Sequence, residues 1–365
     1  MTNLDPPIAT PRPAINPWLI AVAVTVPTFM EVLDTSIANV ALRYISGGLS
    51  AASNDGEWVI TSYLAANAIV LPLSGWLSTF LGRRRYFLLS VAGFTLSSLL
   101  CGMATNLESL IFFRILQGLS GGGLQPGTQG VLLDSFPREK QGAAMTVFAV
   151  ATLIAPILGP TLGGWITDNY SWRWIFFINV PTGLAALAMC GAVLDDPPYL
   201  KAQRAEFLSK PIRFDYIGLG LITLGIASLE IALSKGQEWD WFGDPFFRVH
   251  CLIAGVVGGL SLTVWWELRA KTPVVDFRPL ANRNFVASSI IIFCAYGVLF
   301  GSTTTLPGML QTLFGYDAVH AGLVLSPSGF FSLMMLPIIA KLLGRGYDAR
   351  ILIAVGGLVM ASGCF

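Results

Sequence analysis

The sequence is short of charge. Only 12% of its 365 residues are Asp, Glu, Lys or Arg, where soluble domains carry about 25%. Its 22 basic and 21 acidic residues nearly cancel, leaving a net charge of +1. No basic surface field follows, which excludes nucleic acid as a partner. Histidine occurs twice, at His250 and His320, too few and too scattered for a histidine metal site. Cysteine is also scarce. Cys101, Cys190, Cys251, Cys294 and Cys364 all lie in apolar runs and read as small core residues, so neither a disulfide framework nor a metal is expected. No Gly-rich loop carries the Lys and Ser/Thr of a P-loop, which leaves no signal for ATP hydrolysis.

What is abundant is apolar surface. The apolar fraction is 54% and the mean hydropathy +0.67, above the roughly 45–50% apolar content of soluble domains. A soluble enzyme and a disordered chain are both excluded. Residues 1–17 are Pro-rich and polar, and read as a disordered cytoplasmic tail with no cleavable signal peptide. Eleven apolar segments follow, near 18–42, 58–80, 86–105, 109–133, 143–167, 174–194, 215–234, 246–268, 285–314, 318–341 and 351–365. A helix needs about 20 residues to span a bilayer, and all but the last segment reach that. One such run could be a core helix of a soluble protein; ten in succession could not. The fold class is an all-α polytopic membrane protein.

Lys and Arg set the orientation. With the N-terminus inside, seventeen of the 22 fall in inside loops and four in outside loops (Arg43, Arg173, Lys235, Arg248), with Arg114 inside a span. The positive-inside rule then makes the N-terminus cytoplasmic. Residues 18–194 form a first group of six helices, and 195–214 a charged cytoplasmic loop. Residues 215–268 hold two further helices, 269–284 a second basic loop, and 285–365 a new, incomplete bundle. The stretch from Leu71 aligns without gaps to that from Leu336, matching Leu71/Leu336, Pro72/Pro337, Leu77/Leu342 and Arg85/Arg350. Each is a helix, a basic turn and the next helix, and such repeats are a transporter feature.

A charge at the bilayer centre costs from about 2.5 kcal/mol upward, so each needs a reason. Glu31 and Asp34 stand three apart in the first helix, on one face. Arg114 stands alone in the fourth. At 1.5 Å per residue, Asp34 lies ~12 Å and Arg114 ~8 Å from the outer ends of their helices, so the two reach a similar depth. Two readings stay open: an acid that titrates against a fixed cation, with Glu31 as a second acid, or a static ion pair that orders the bundle. Glu230 and Glu267 lie nearer a membrane face and read as snorkelling or loop-proximal acids. Asp168 and Arg173 flank an outer turn and read as interfacial, with Trp165, Trp172 and Trp174 forming an aromatic belt there. Gly118 with Gly122, and Gly159 with Gly163, stand four apart, the spacing that lets helices approach closely. Gly159–Pro160 also favours a kink.

These residues resemble the major facilitator superfamily, and within it the fourteen-helix drug:proton antiporters of the EmrB/QacA type, closest to the EmrB side. The first helix reads LDTSIANVAL from Leu33, similar to the branch motif that holds the membrane acid, here Asp34. GWLSTFLGRRR resembles the superfamily's cytoplasmic loop motif: Gly75, Gly82, Arg83 and Arg84 match, while Thr79 replaces the usual acid, which weakens the charge relay assigned to that loop. RILQGLSGGG resembles the proton-coupling motif at Arg114, Gln117 and Gly118. APILGPTLGGW resembles the antiporter motif at Gly159, Pro160, Gly163 and Gly164, with Ala155 in place of its first Gly. WRWIFFINVP (Trp172–Pro181) is similar to the branch's outer-turn signature, and likeness continues through 235–241, 283–285 and 315–327.

The resemblance implies export of hydrophobic or amphipathic compounds in exchange for protons, with no cofactor beyond the proton gradient. Its architecture would be an N-terminal six-helix bundle, two inserted linker helices and a second bundle, in the inner membrane. Asp34, Arg114 and Glu31 would couple to protons. Asn39, Tyr63, Asn67, Gln117 and Gln311 would be either substrate contacts in the central cavity or interhelical glue. EmrB-like exporters also work with a periplasmic adaptor protein. The competing readings are a dedicated exporter of one metabolite, siderophore or antibiotic, and, from other classes, a membrane enzyme or a non-transporting receptor. Neither His sits near an acid at a spacing useful to an enzyme. Against fourteen expected helices, eleven are begun and the last run has 15 residues. The chain is therefore expected to be C-terminally truncated, inactive by itself, with export a property of the intact parent.

Overall fold

The computed structural model describes residues 16–209, 214–270 and 273–363. Most of the expected N-terminal tail therefore lies outside the described residues. Within them every regular element is helical. In chain order they are α1 (Pro17–Gly48), α2 (Ser53–Gly56), α3 (Trp58–Leu81), α4 (Arg83–Met103), α5 (Leu107–Gly121), α6 (Leu124–Ser135), α7 (Arg138–Asn169), α8 (Trp174–Phe177), α9 (Asn179–Val193), α10 (Pro198–Ser209), α11 (Tyr216–Lys235), α12 (Arg248–Glu267), α13 (Arg283–Leu313), α14 (Ala318–Gly344) and α15 (Ala349–Gly363). Eight helices among the described residues are long and apolar enough to cross a membrane. Strands are absent from the described residues, because the long apolar runs leave no period-2 pattern and a bilayer admits open sheets nowhere.

Three of the differences from the sequence expectation bear on the fold. The fourth segment, expected as one helix over 109–133, is two, α5 and α6, parted at Gly122–Gly123. Three glycines in succession stiffen the helix least, and Pro126 supplies no N–H to the carbonyl four residues back. Inside the expected loop 195–214, α10 forms over PYLKAQRAEFLS, with proline at its first position. It is held against the end of α3, where Trp76 stacks edge-on with Phe207 and Phe214. Arg204 Nε donates to the Phe80 carbonyl at 3.0 Å, meeting one of the acceptors a helix C-terminus leaves open. The first helix runs on to Gly48, six residues beyond its expected end.

Packing centres on α1, which lies along α7 and also touches α9 and α6; α3 lies on α5, and α4 on α5 and α9. α11 pairs with α12 and leans on α3, while α14 packs along α7. The glycine spacing explains the closest of these. A Cβ on Gly118 would stand 2.4 Å from the Tyr63 carbonyl, and one on Gly122 2.6 Å from that of Asn67. On α7, a Cβ on Gly159 would strike Ser36 Oγ at 2.2 Å. Backbones this near cannot admit a side chain.

Prolines inside these helices strip donors that neighbours replace. Pro27 has no N–H for the Ala23 carbonyl, and the Cys190 thiol of α9 donates there at 3.1 Å. Pro160 likewise frees the Pro156 carbonyl, to which Ser36 Oγ donates at 3.0 Å. In a lipid environment this cross-helix repair is required rather than optional.

Two apolar cores result. One gathers Val24, Met30, Tyr63, Phe87, Phe94 and Leu124. The other gathers Val32, Leu33, Ile37, Val59, Leu110 and Phe176. Along α1 they meet between Met30 and Val32, where Glu31 lies, with Asp34 one helical turn further on.

Candidate functional site

Both acids of α1 are buried: Glu31 is 4% exposed and Asp34 2%. Arg114 of α5 is fully buried between the same two cores. Its Nη1 donates to Asp34 Oδ2 at 2.5 Å and to Gln117 Oε1 at 2.8 Å. Its Nε donates to the Val59 carbonyl at 3.0 Å. The guanidinium also sits 4.1 Å from the Tyr63 ring centroid, a cation–π placement. Asp34 Oδ1 accepts from Gln117 Nε2 at 3.1 Å and from Asn179 Nδ2 at 2.6 Å. Glu31 Oε1 accepts from Asn67 Nδ2 at 3.0 Å and from Gln125 Nε2 at 3.5 Å. Tyr63, Asn67 and Gln117, read from the sequence as candidate contacts, thus surround the acids. Asn39 and Gln311 are half-exposed on α1 and α13.

Asn179 is the residue sequence reasoning missed. It lies at the start of α9, binds Asp34, and is braced by Ser98 Oγ at 3.0 Å. Its signal was present, since it falls in the WRWIFFINVP run. Gln125 and Ser98 carried no signal beyond being polar in apolar surroundings.

A second constellation lies where α3 turns into α4. Gly82 has φ +88°, a left-handed conformation open to Gly and strained for other residues. Arg83 donates to the Gly130 carbonyl at 3.1 Å and pairs with Asp134 at the end of α6. Arg84 donates its N–H to Asp196 at 2.8 Å and Nη2 to the Gly191 carbonyl at 2.8 Å. Tyr199 of α10 donates to the same Asp134 at 2.6 Å. The acid missing at Thr79 is supplied from α6 and from the segment before α10. Thr79 itself donates back to the Gly75 carbonyl at 3.1 Å. A Cβ on Gly75 would meet nothing within 4 Å, so no close packing requires glycine there. Gly163 is close to Ile37 of α1, and Gly164 is buried beside it. The repeated stretch beginning at Leu336 also turns on a left-handed glycine, Gly346 at φ +86°.

Two expectations need correction, those for Trp172 and His320, while Glu267 and Arg173 are placed more closely. Glu267 is the loop-proximal acid of the two readings: it is 3% exposed and its Oε2 accepts from the Val274 N–H at 2.9 Å, because the chain after α12 folds back over it. Trp172 is buried against Gly48 rather than part of an outer belt; Trp165 and Trp174 remain exposed. Arg173 donates to the Gly102 and Ala104 carbonyls at 2.9 and 2.5 Å, closing the end of α4. His320 does meet an acid: its Nδ1 lies 2.7 Å from Asp317 Oδ1, which also accepts the His320 N–H at 2.6 Å. These contacts, the backbone N–H first, hold the Asp317 carboxyl below the usual carboxylate range, and the pair caps the start of α14.

The sequence and the fold have counterparts among known proteins. The sequence matches the profile of the Major Facilitator Superfamily over residues 25–365. This chain belongs to the major facilitator superfamily. Within it, the chain is 40% identical over 355 residues to the probable multidrug resistance protein EmrY of Escherichia coli, covering 97% of this chain and 67% of EmrY. It is 41% identical to the multidrug export protein EmrB of Haemophilus influenzae, covering 94% of this chain and 65% of EmrB. The chain therefore spans about two thirds of the length of these relatives. A solved POT family transporter in complex with a thioalcohol-conjugated peptide superposes with a TM-score of 0.61 at 15% identity, covering 93% of this chain and 74% of that one. That likeness carries the superfamily fold, and the chain is a multi-pass membrane transporter protein by family.

Proposed function

We propose that the whole protein exports hydrophobic or amphipathic drugs across the inner membrane in exchange for inward-moving protons. One observation carries this reading most: a buried, ion-paired carboxylate and a second buried carboxyl lie between two apolar cores of a superfamily chain. A static strut needs one acid for one cation; a coupling site needs a group that changes charge. The names of EmrY and EmrB, both multidrug proteins, support drugs as the cargo.

In this reading Asp34, Arg114 and Glu31 couple the cycle to protons. Asn39, Tyr63, Asn67, Gln117 and Gln311 border the substrate path. Residues 18–194 form the first bundle, 215–268 two inserted linker helices and 285–365 part of the second bundle, with the N-terminus cytoplasmic. Alternating access moves the bundles about the site. Arg83 and Arg84 act in gating at the cytoplasmic turn, while Gly118, Gly159, Pro160, Gly163 and Gly164 keep the helix contacts close. A periplasmic adaptor protein is the proposed partner, as for EmrB-like exporters.

The test is efflux of a fluorescent lipophilic dye from efflux-deficient cells making the full-length protein. Dye retention should fall, recover on adding a protonophore, and recover in Asp34→Asn. Export that ignores the protonophore, or full proton-coupled export by Asp34→Asn, would end this reading.

A further inference from the structure

Glu31 and Asp34 stand one helical turn apart, yet their surroundings are unequal. Asp34 is saturated: both oxygens are bound, by two amides and a guanidinium. Its charge is matched by Arg114. Glu31 lies as deep, but its donors are amides alone, and both address Oε1. Among the described residues, Glu31 Oε2 has no hydrogen-bond partner.

The ionisable groups that face this pocket are few. Asp34 shares α1, Tyr63 comes from α3, Cys101 from α4 and Arg114 from α5. α6 presents Gln125 and α9 presents Asn179. The charged residues of α6 and α7 (Asp134; Arg138, Glu139, Lys140, Asp168) lie at helix ends. One cation thus serves two acids. With both ionised, the cluster carries an unmatched negative charge between two apolar cores, which is costly without a partner. With a proton on Glu31 the cluster is neutral, and no existing hydrogen bond is broken because Oε2 is the oxygen left over.

We propose that Glu31 is the group that takes up and releases the exchanged proton, while Asp34 serves as the fixed ion-pair partner of Arg114. The assignment rests on the proton-coupled reading above. Uptake forms one O–H bond at Glu31 Oε2 and lets the dry cluster close. Release to the other side breaks that bond and restores the carboxylate. Its unmatched charge then draws water or a cationic drug into the pocket. Asp34 and Arg114 are positioning residues: they fix α1 against α5 and hold Tyr63 in place through its ring.

The experiment is infrared difference spectroscopy of the purified protein in lipid nanodiscs, stepped in pH across the neutral range. Acidification should raise the high-frequency C=O band of a desolvated carboxylic acid in the wild type. That band should be lost in Glu31→Gln, which is isosteric, and be shifted in Glu31→Asp. It should persist in the double variant Asp34→Asn/Arg114→Gln, which strands no charge and so avoids the folding risk of Asp34→Asn. A band that survives Glu31→Gln, is missing from the double variant, or is absent from the wild type overturns the assignment. The two readings fail separately. Export indifferent to a protonophore defeats proton coupling whatever the spectra show. Gradient-dependent export with an unaltered band in Glu31→Gln defeats only the assignment to Glu31.

Discussion

Removing Arg114 should harm the fold more than removing Arg114 and the charge of Asp34 together. The pair is held at 2.5 Å, and both side chains are shielded from solvent, so neither salt nor water screens what remains. In Arg114→Met, Asp34 keeps only its amide donors, Gln117 and Asn179. Stranding one member of a buried pair costs about 3–5 kcal/mol. The cation–π contact with Tyr63 adds up to about 2 kcal/mol if fully desolvated. In Asp34→Asn, the guanidinium keeps Gln117 and the Val59 carbonyl but loses its counter-charge, at a cost of about 3 kcal/mol. The double variant Asp34→Asn/Arg114→Met removes both charges of the pair and strands neither. It forfeits the Val59 hydrogen bond and the ring contact, and should lie within about 2 kcal/mol of the wild type. The cycle therefore closes with a favourable coupling of about 3 kcal/mol or more. Equilibrium unfolding in mixed micelles, followed by near-ultraviolet circular dichroism of the ten tryptophans, measures all four species. A double variant as unstable as the sum of the singles would refute the reasoning, because it would mean that the two charges do not support one another. Transport should be lost in all three variants, since restoring stability does not restore the arrangement around Glu31.

Three further outcomes follow from other contacts. Gly118→Leu drives a side chain into the Tyr63 carbonyl, 2.4 Å from the new Cβ, and should cost about 1–3 kcal/mol by overpacking; an unshifted unfolding transition would show that α3 and α5 are not so close. Asp134→Asn removes the counter-charge of Arg83 and weakens the acceptor of Tyr199; proteolysis should then cut α10 faster than in the wild type, and equal cutting rates would show that the strap does not depend on this acid. Asp244, outside the spans, is held down to about 2 by hydrogen bonds from the Arg248 guanidinium. A carboxyl lowered on folding stabilises above its unfolded value, about 3.9, and that contribution fades as pH falls toward about 2. Hydrogen exchange at residues 236–250 should therefore be faster in Asp244→Asn than in the wild type near neutrality, and the difference should vanish in strong acid. A difference that persists there would point to packing rather than charge.

The sequence alone determined a good deal. Ten long apolar runs and a lack of charge require helices in a bilayer, since only closed backbone hydrogen bonding survives there. The expense of intramembrane charge singled out Glu31, Asp34 and Arg114, and glycines four apart marked the close helix pairs. All of these are local properties, legible from composition and period. Tertiary structure decided what local pattern cannot carry. Asn179 stands 145 positions after Asp34 and reaches it only because α9 packs on α1. The acid for Arg83 comes from Asp134, not from the turn itself. Glu267 and Trp172 look interfacial by position, but are buried by segments that fold over them. Above all, spacing puts Glu31 and Asp34 on one face as equals. Only the packing of α3, α5, α6 and α9 gives one of them a cation and leaves the other with amides, because a charge's partner is set by which helices meet, not by where it lies along its own.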